Sequence, residues 1–264
     1  MLRSLFAAVS GLRVHQVKMD VVGHNLANVN TVAYKASRGS FRELFSQTLR
    51  GGAAPGTALG GVNPQQVGLG TQLGAIDSIQ TQGASQATGR VRDLAIEGAG
   101  FFVLKAGSET FYTRAGSFVQ DANGALVDPA TGLILQSVAG GGITVPGTVQ
   151  YLSIDRTGNV TGVDDTGNLV TLGQIALAVF PNPEGLLRAG NGLYTVSVNS
   201  GTASVGSPQS GGRGAIASGA LEMSNVDLAT EFAEMIATQR GFQANSRVVS
   251  ASDEMLQELA NLRR

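Results

Sequence analysis

Toward one end of the chain, Leu228, Met235, Phe242, Val249 and Leu256 fall at intervals of seven residues. A seven-residue apolar repeat marks a helix that keeps one narrow face against another helix. Its companion positions, Phe232, Gln239, Ser246, Asp253 and Ala260, are mostly polar, and Leu259 and Leu262 extend the apolar face. The other end carries a second stripe: Leu5, Val9, Leu12, Met19 and Leu26, with Gln16 and Gly23 in the remaining slots. Two such helices limit the fold more than anything between them. Each must bury its stripe against the other or against another molecule. Charge favours the first contact weakly: residues 1–50 hold seven basic and two acidic side chains, and residues 221–264 hold four basic and seven acidic ones.

Local signals bound both helices. Ser224, Asn225 and Asp227 are N-cap candidates for the second. Gly241 is a weak point inside it, costing about 1 kcal/mol relative to Ala. The first runs into "GHNLANVNTVAYK", residues 23–35, with Asn25, Asn28 and Asn30 close together. Asn28 and Asn30 are expected to end the helix, because Asn tolerates a left-handed backbone and caps carbonyls. Asn25 is expected to reach a neighbouring helix.

Between the ends the pattern changes to period two. "DLAIEG", "FFVLKAG", "TFYTRAG", "GLILQSV", "QYLSIDRTGNVTG", "NLVTLGQIALAVF" and "NGLYTVSV" read as short strands, and "DANG", "RTGN" and "DTGN" as hairpin turns. Two Gly-, Ala- and Gln-rich stretches flank them and read as connectors. The expected fold class is therefore α+β: a discontinuous coiled-coil domain of terminal helices (1–34 and 221–264), connectors (35–83 and 199–220) and a β-rich domain (84–198). Fixing about 30 helical residues costs of order 30–60 kcal/mol, and ten apolar side chains return only about 15–30. The ends are thus expected to complete their burial by self-assembly.

The sequence offers little for catalysis. There is no Cys, which excludes disulfides and thiol chemistry. His15 and His24 are the only histidines, nine residues apart and without carboxylates at ligand spacing, and are expected on a helix surface. The glycine-rich runs match neither a dinucleotide fingerprint nor a P-loop, and the Asp-rich turns lack the closing Glu of a calcium loop. No catalytic residue, cofactor or metal is expected. A net charge of −1 gives no pull toward nucleic acid. No run approaches the roughly 18 apolar residues of a membrane span, so no membrane insertion is expected. "MLRSLFAAVSGLRVHQ" resembles a signal peptide, but its stripe continues past Arg13 and Lys18, so no cleavage is expected.

Long motifs carry a family resemblance. "MLRSLFAAVSGLRVHQVKMDVVGHNLANVNTVAYK" and "SGALEMSNVDLATEFAEMIATQRGFQANSRVVSASDEMLQELANL" resemble the two terminal signatures of bacterial flagellar rod and hook proteins. "QVGLGTQLGAIDSIQTQGASQATGRVRDLAIEGAGFFVL" and "YTRAGSFVQDANGALVDPATGLIL" resemble their central part. The length and the central stretch resemble most the short hook proteins of Gram-positive-type bacteria. The resemblance implies a non-enzymatic hook subunit that self-assembles into a curved hollow tube transmitting motor torque. The distal rod is the alternative, and a secreted β-rich adhesin or binding module a remote one. It implies paired helices lining the tube, the β domain outside, and an extracellular place in the flagellum reached through the type III export apparatus. The implied partners are other copies, the distal rod protein, the hook cap and the hook–filament junction protein. The implied assembly residues are Leu5, Val9, Leu12, Met19, Leu26, Asn25, Asn28, Leu228, Phe232, Met235, Phe242, Val249, Leu256 and Leu259. One position departs from the family pattern. Ala33 stands where Gly is common before the aromatic Tyr34, which argues against a left-handed backbone there.

Overall fold

The computed structural model describes residues 2–56 and 60–262. It divides into a helical unit (Met1–Ala27, Ser37–Ser78 and Asp227–Arg264) and a β unit (Asn28–Ala36 and Ile79–Val226). The class is α+β, with helices at the chain ends and strands between, as the change of period requires.

In the helical unit, α1 (Leu2–Ala27) and α2 (Leu228–Leu262) pack against each other. Asp227 caps α2: its carboxylate accepts Ala229 N–H at 3.0 Å and Thr230 Oγ1–H at 2.9 Å. These bonds, Thr230's first, hold its pKa below the ordinary carboxylate value.

The segment after α1, expected as connector, forms a two-stranded ribbon. β1 (Ser37–Glu43) runs into β2 (Ser46–Arg50), and the chain returns as β3 (Gln65–Gly68) and β4 (Thr71–Ser78). β1 pairs antiparallel with β4, and β2 with β3. A bulge at Ser40/Phe41 and the bonds Leu44 N–H to Gly70 O and Leu69 N–H to Phe45 O carry the ribbon across the junction. The base lies on α1, where Ser10 Oγ accepts Thr71 N–H at 3.2 Å. Both faces of β2 and β3 are exposed, so nothing in the sequence alternates there.

The β unit is built around β7 (Phe101–Ala106), which follows β5 (Ser85–Ala87) and β6 (Leu94–Glu97) and pairs with β8 (Glu109–Thr113). Both faces of β7 are buried. Phe102 and Leu104 join one core with Leu94, Ile96, Phe118, Ile175 and Ile216. Phe101 and Val103 join a second with Tyr112, Phe180 and Tyr194. Alternation on β7 therefore separates two cores, not core from solvent. The strand Leu177–Val179 pairs with β7, and Val149–Ile154, Asn159–Asp164 and Leu169–Gln174 form a meander of their own. In the expected turn at 121–124, Asp121 Oδ1 accepts the N–H groups of Asn123 and Ala125, and Gly124 takes a positive φ of 85°. The stretch 199–220, also expected as connector, contributes the strand Ser204–Gly206 to the main sheet and Ala215–Ser218 as partner of β6.

Candidate assembly interface and intrachain clasp

The helices meet on the face one residue away from the predicted stripes. The Lys18 ammonium lies 2.5 Å from Glu234. Asn25 Nδ2 donates to Glu231 Oε1 at 2.9 Å. A Cβ at Gly11 would lie 2.7 Å from Asn245 Nδ2, and one at Gly241 would lie 2.5 Å from His15 Cε1. Low numbers in α1 meet high numbers in α2, so the helices are antiparallel. Each helix seats one polar side chain over a glycine of the other, which brings the backbones close. Gly241 is therefore the socket for His15, not merely a weak point. The seam positions Gly11, Lys18 and Asn25 are themselves seven apart, as are Glu231, Thr238, Asn245 and Ser252. This second heptad of small and polar residues was readable, but apolar periodicity outranked it.

The predicted stripes consequently face elsewhere. Leu228, Phe232, Phe242 and Leu259 are exposed, Phe232 by 49% and Phe242 by 42%. Met235, Val249 and Leu256, and on α1 Leu5, Val9, Leu12, Met19 and Leu26, are partly exposed. Asn25 is buried and bonds within its own chain: besides Glu231 it donates to Ser37 O at 2.8 Å and accepts Ser37 N–H at 2.9 Å. Asn28 follows α1, and its side chain accepts Thr31 Oγ1–H at 3.1 Å.

His15 lies within the seam, not on the surface. Its ring meets Phe41 edge-on at 5.8 Å, and its buried Nδ1 has no partner among the described residues. Burial, then the charge of Lys18, holds its pKa below the ordinary 6.5. The unfolded chain therefore binds this proton first. The helix pair is expected to keep the His15 contribution above pH 6.5 and to lose it as pH falls through 6.5 toward the folded value. Glu231, its pKa raised mainly by burial, acts with the opposite sign, losing its contribution as pH rises past 4.5. Melts followed by helical circular dichroism between pH 7.5 and 5.5 should slope downward in acid, and His15→Gln should flatten that slope. An unchanged slope in the variant would assign it elsewhere.

In the β unit, three separate segments are stitched by two side chains. Glu222 is buried, and its Oε1 accepts Lys35 Nζ at 2.5 Å and Gly83 N–H at 2.9 Å. Its Oε2 accepts Arg114 Nη1 at 3.3 Å. Lys35, fully buried, also donates to Thr81 O at 2.7 Å. Asn225 Oδ1 accepts Ala36 N–H at 2.8 Å, while its Nδ2 donates to Ile79 O and Thr81 Oγ1, both at 2.9 Å. Residues 33–36, 79–83 and 222–225 are thus held as one clasp. Sequence reading assigned Lys35 and Glu222 only to the charge tally, because their pairing spans 187 residues.

The clasp fixes the conformation at Ala33. Its N–H donates to Glu222 O at 2.8 Å, and its φ is +56°. The left-handed backbone that Ala33 argued against is present, and it falls here, not at Asn28 or Asn30. A left-handed non-glycine residue costs roughly 1–2 kcal/mol, against about 0.4–1 kcal/mol of chain freedom that glycine adds to the unfolded state. Ala33→Gly is expected to stabilise the β unit by up to about 1 kcal/mol, read as a higher urea midpoint. A lower midpoint would remove the strain argument.

Among the described residues, no group of three or more His, Asp or Glu side chains gathers that could hold a metal, and no helix is long and apolar enough to cross a membrane. Paired terminal helices with an open apolar flank define a structural subunit. The comparisons place it. Three family models match in order: "Flagella basal body rod protein" over residues 5–35, "Flagellar hook protein FlgE/F/G D1 domain" over 95–162, and "Flagellar basal body rod FlgEFG protein C-terminal" over 217–262. The chain is 50% identical to the flagellar basal-body rod protein FlgG of Bacillus subtilis over the whole of both chains. It is 37% identical to FlgG of Borreliella burgdorferi, again over the whole of both. With the flagellar hook protein FlgE of that species it shares 29% identity, spread over 441 aligned positions. The chain belongs to the flagellar rod and hook protein family and is a structural component of the flagellum.

Proposed function

We propose that this chain is a subunit of the distal rod, a straight hollow shaft, in preference to the hook that its motifs first suggested. The observation that carries the reading is full-length similarity without large insertions: 265 aligned positions with the Bacillus subtilis rod protein, against 441 with a hook relative. The open flank of α2 supports assembly. Leu228, Phe232, Phe242 and Leu259 are apolar side chains on one helix that another copy would cover. The ribbon adds Phe45, Leu49 and Leu69, exposed on a two-stranded element of marginal stability alone. The subunit works mechanically, without catalysis. Its partners are other copies, its neighbours along the axis and the export apparatus that delivers it uncleaved. Electron microscopy of purified assemblies tests the choice: straight tubes support the rod, and curved tubes return the reading to the hook. Mass spectrometry of the exported chain tests the uncleaved terminus.

A further inference from the structure

The β unit contains a cleft that the assembly reading does not use. Gly98, Ala99, Gly100 and Phe101 line it with Val179, Phe180 and Pro183, together with Gln80, Gln82 and Arg114, around about 230 Å³. Most of this lining is apolar. Arg114 brings charge into it, although the residue is only 5% exposed. Its guanidinium lies 5.5 Å from the Phe101 ring. Nη2 donates to Gly98 O at 2.8 Å, and Nη1 reaches Glu222 Oε2 at 3.3 Å and Ile96 O at 3.4 Å. Nε is buried and has no partner among the described residues.

The charges around it do not balance. Lys35 and Arg114 share the single carboxylate of Glu222. Tyr194 stays a neutral phenol, its pKa raised mainly by burial. A buried cation in excess, with an unused N–H, is unfavourable unless an anion completes it. Phosphate would lose its hydration to hydrocarbon walls for one free donor. A carboxylate carried on a hydrocarbon body suits both the donor and the walls.

We infer that this cleft binds a carboxylate attached to an apolar group, with its charge beside the Arg114 guanidinium and Phe101, Val179 and Phe180 around the body. Two sources share that chemistry: an acidic side chain of a second copy, and a free organic acid.

The test uses the soluble full chain with ¹⁵N-labelled arginine and 3-phenylpropionate as probe. The Arg114 Nε–H cross-peak should move saturably at millimolar probe. Phenethylamine, with the same body and opposite charge, should leave it in place. Ala99→Phe, at an exposed position on the cleft wall, should abolish the shift without moving the urea midpoint. In assembled tubes, a peak already displaced without probe assigns the ligand to a second copy, and a peak that moves only on adding probe assigns a free acid. The inference is overturned by no saturable shift, an equal response to the amine, or an undiminished shift in Ala99→Phe. Tube formation is scored separately, so its failure bears on the assembly reading alone.

Discussion

Glu222→Gln should cost the β unit about 3–5 kcal/mol, the usual result of removing one partner from a buried charge pair. The amide keeps the shape but leaves Lys35 and Arg114 as buried cations without a counter-charge. It also weakens the acceptor for Gly83 N–H. Little space exists for relaxation, because a Cβ at Gly83 would collide with Met223 O. Urea unfolding followed by tyrosine emission measures the loss, with Tyr112 and Tyr194 in the β core as reporters. A pH series separates charge from packing. Burial, acting against Glu222, already holds the Lys35 pKa below 10.5. Between that lowered value and 10.5 the unfolded chain binds more protons, so this contribution rises with pH. Without Glu222 the folded value drops further and the recovery with pH should begin lower. A second variant tests the charge account from the other side: Lys35→Met with Glu222→Leu should be less destabilised than Glu222→Leu alone, since fewer charges stay buried unpaired. A double variant as unstable as the single one would mean that shape, not charge, holds the clasp.

How much of this was legible depends on how each part is encoded. The strands of the β unit announce themselves because Phe102 and Leu104, or Leu94 and Ile96, are large, apolar and bounded by Gly and Asp turns. The ribbon from Ser37 to Ser78 does not, because both faces of its outer half meet solvent and carry Gln, Thr and Gly alike. The helices were plain, but their mutual face was not. Two heptads run side by side on each, and the intramolecular seam took the polar one, where Gly11 and Gly241 allow close approach. Asn25 was legible as a residue reaching across helices. Glu222, Lys35 and Asn225 were not, since single polar residues far apart in sequence leave no periodic trace. Ala33 shows the limit of propensity, because three bonded segments hold it left-handed against its own preference.

The one-residue offset leads to the largest expected effect on assembly. If the apolar stripe of α2 is reserved for other copies, Phe232→Asp with Phe242→Asp should leave the soluble chain nearly as stable as before, because both rings are already about half exposed. Covering the exposed half of each ring between copies contributes roughly 0.8–1.5 kcal/mol, and a buried aspartate adds its own desolvation cost. At 1.4 kcal/mol per tenfold, losing both should raise the concentration needed for tube formation by about 10–10², and the aspartates' desolvation raises it further. Thr238→Leu, on the buried seam, should do the reverse. An extra branched side chain between the closely packed helices overpacks them by about 1–3 kcal/mol, so the helical signal should melt earlier. Sedimentation across a concentration series gives the assembly threshold, and circular dichroism of the supernatant gives monomer stability. If the double aspartate variant melts early while its tubes form at the original threshold, the roles of the two heptads are interchanged: the apolar stripe holds the monomer, and the polar seam joins the copies.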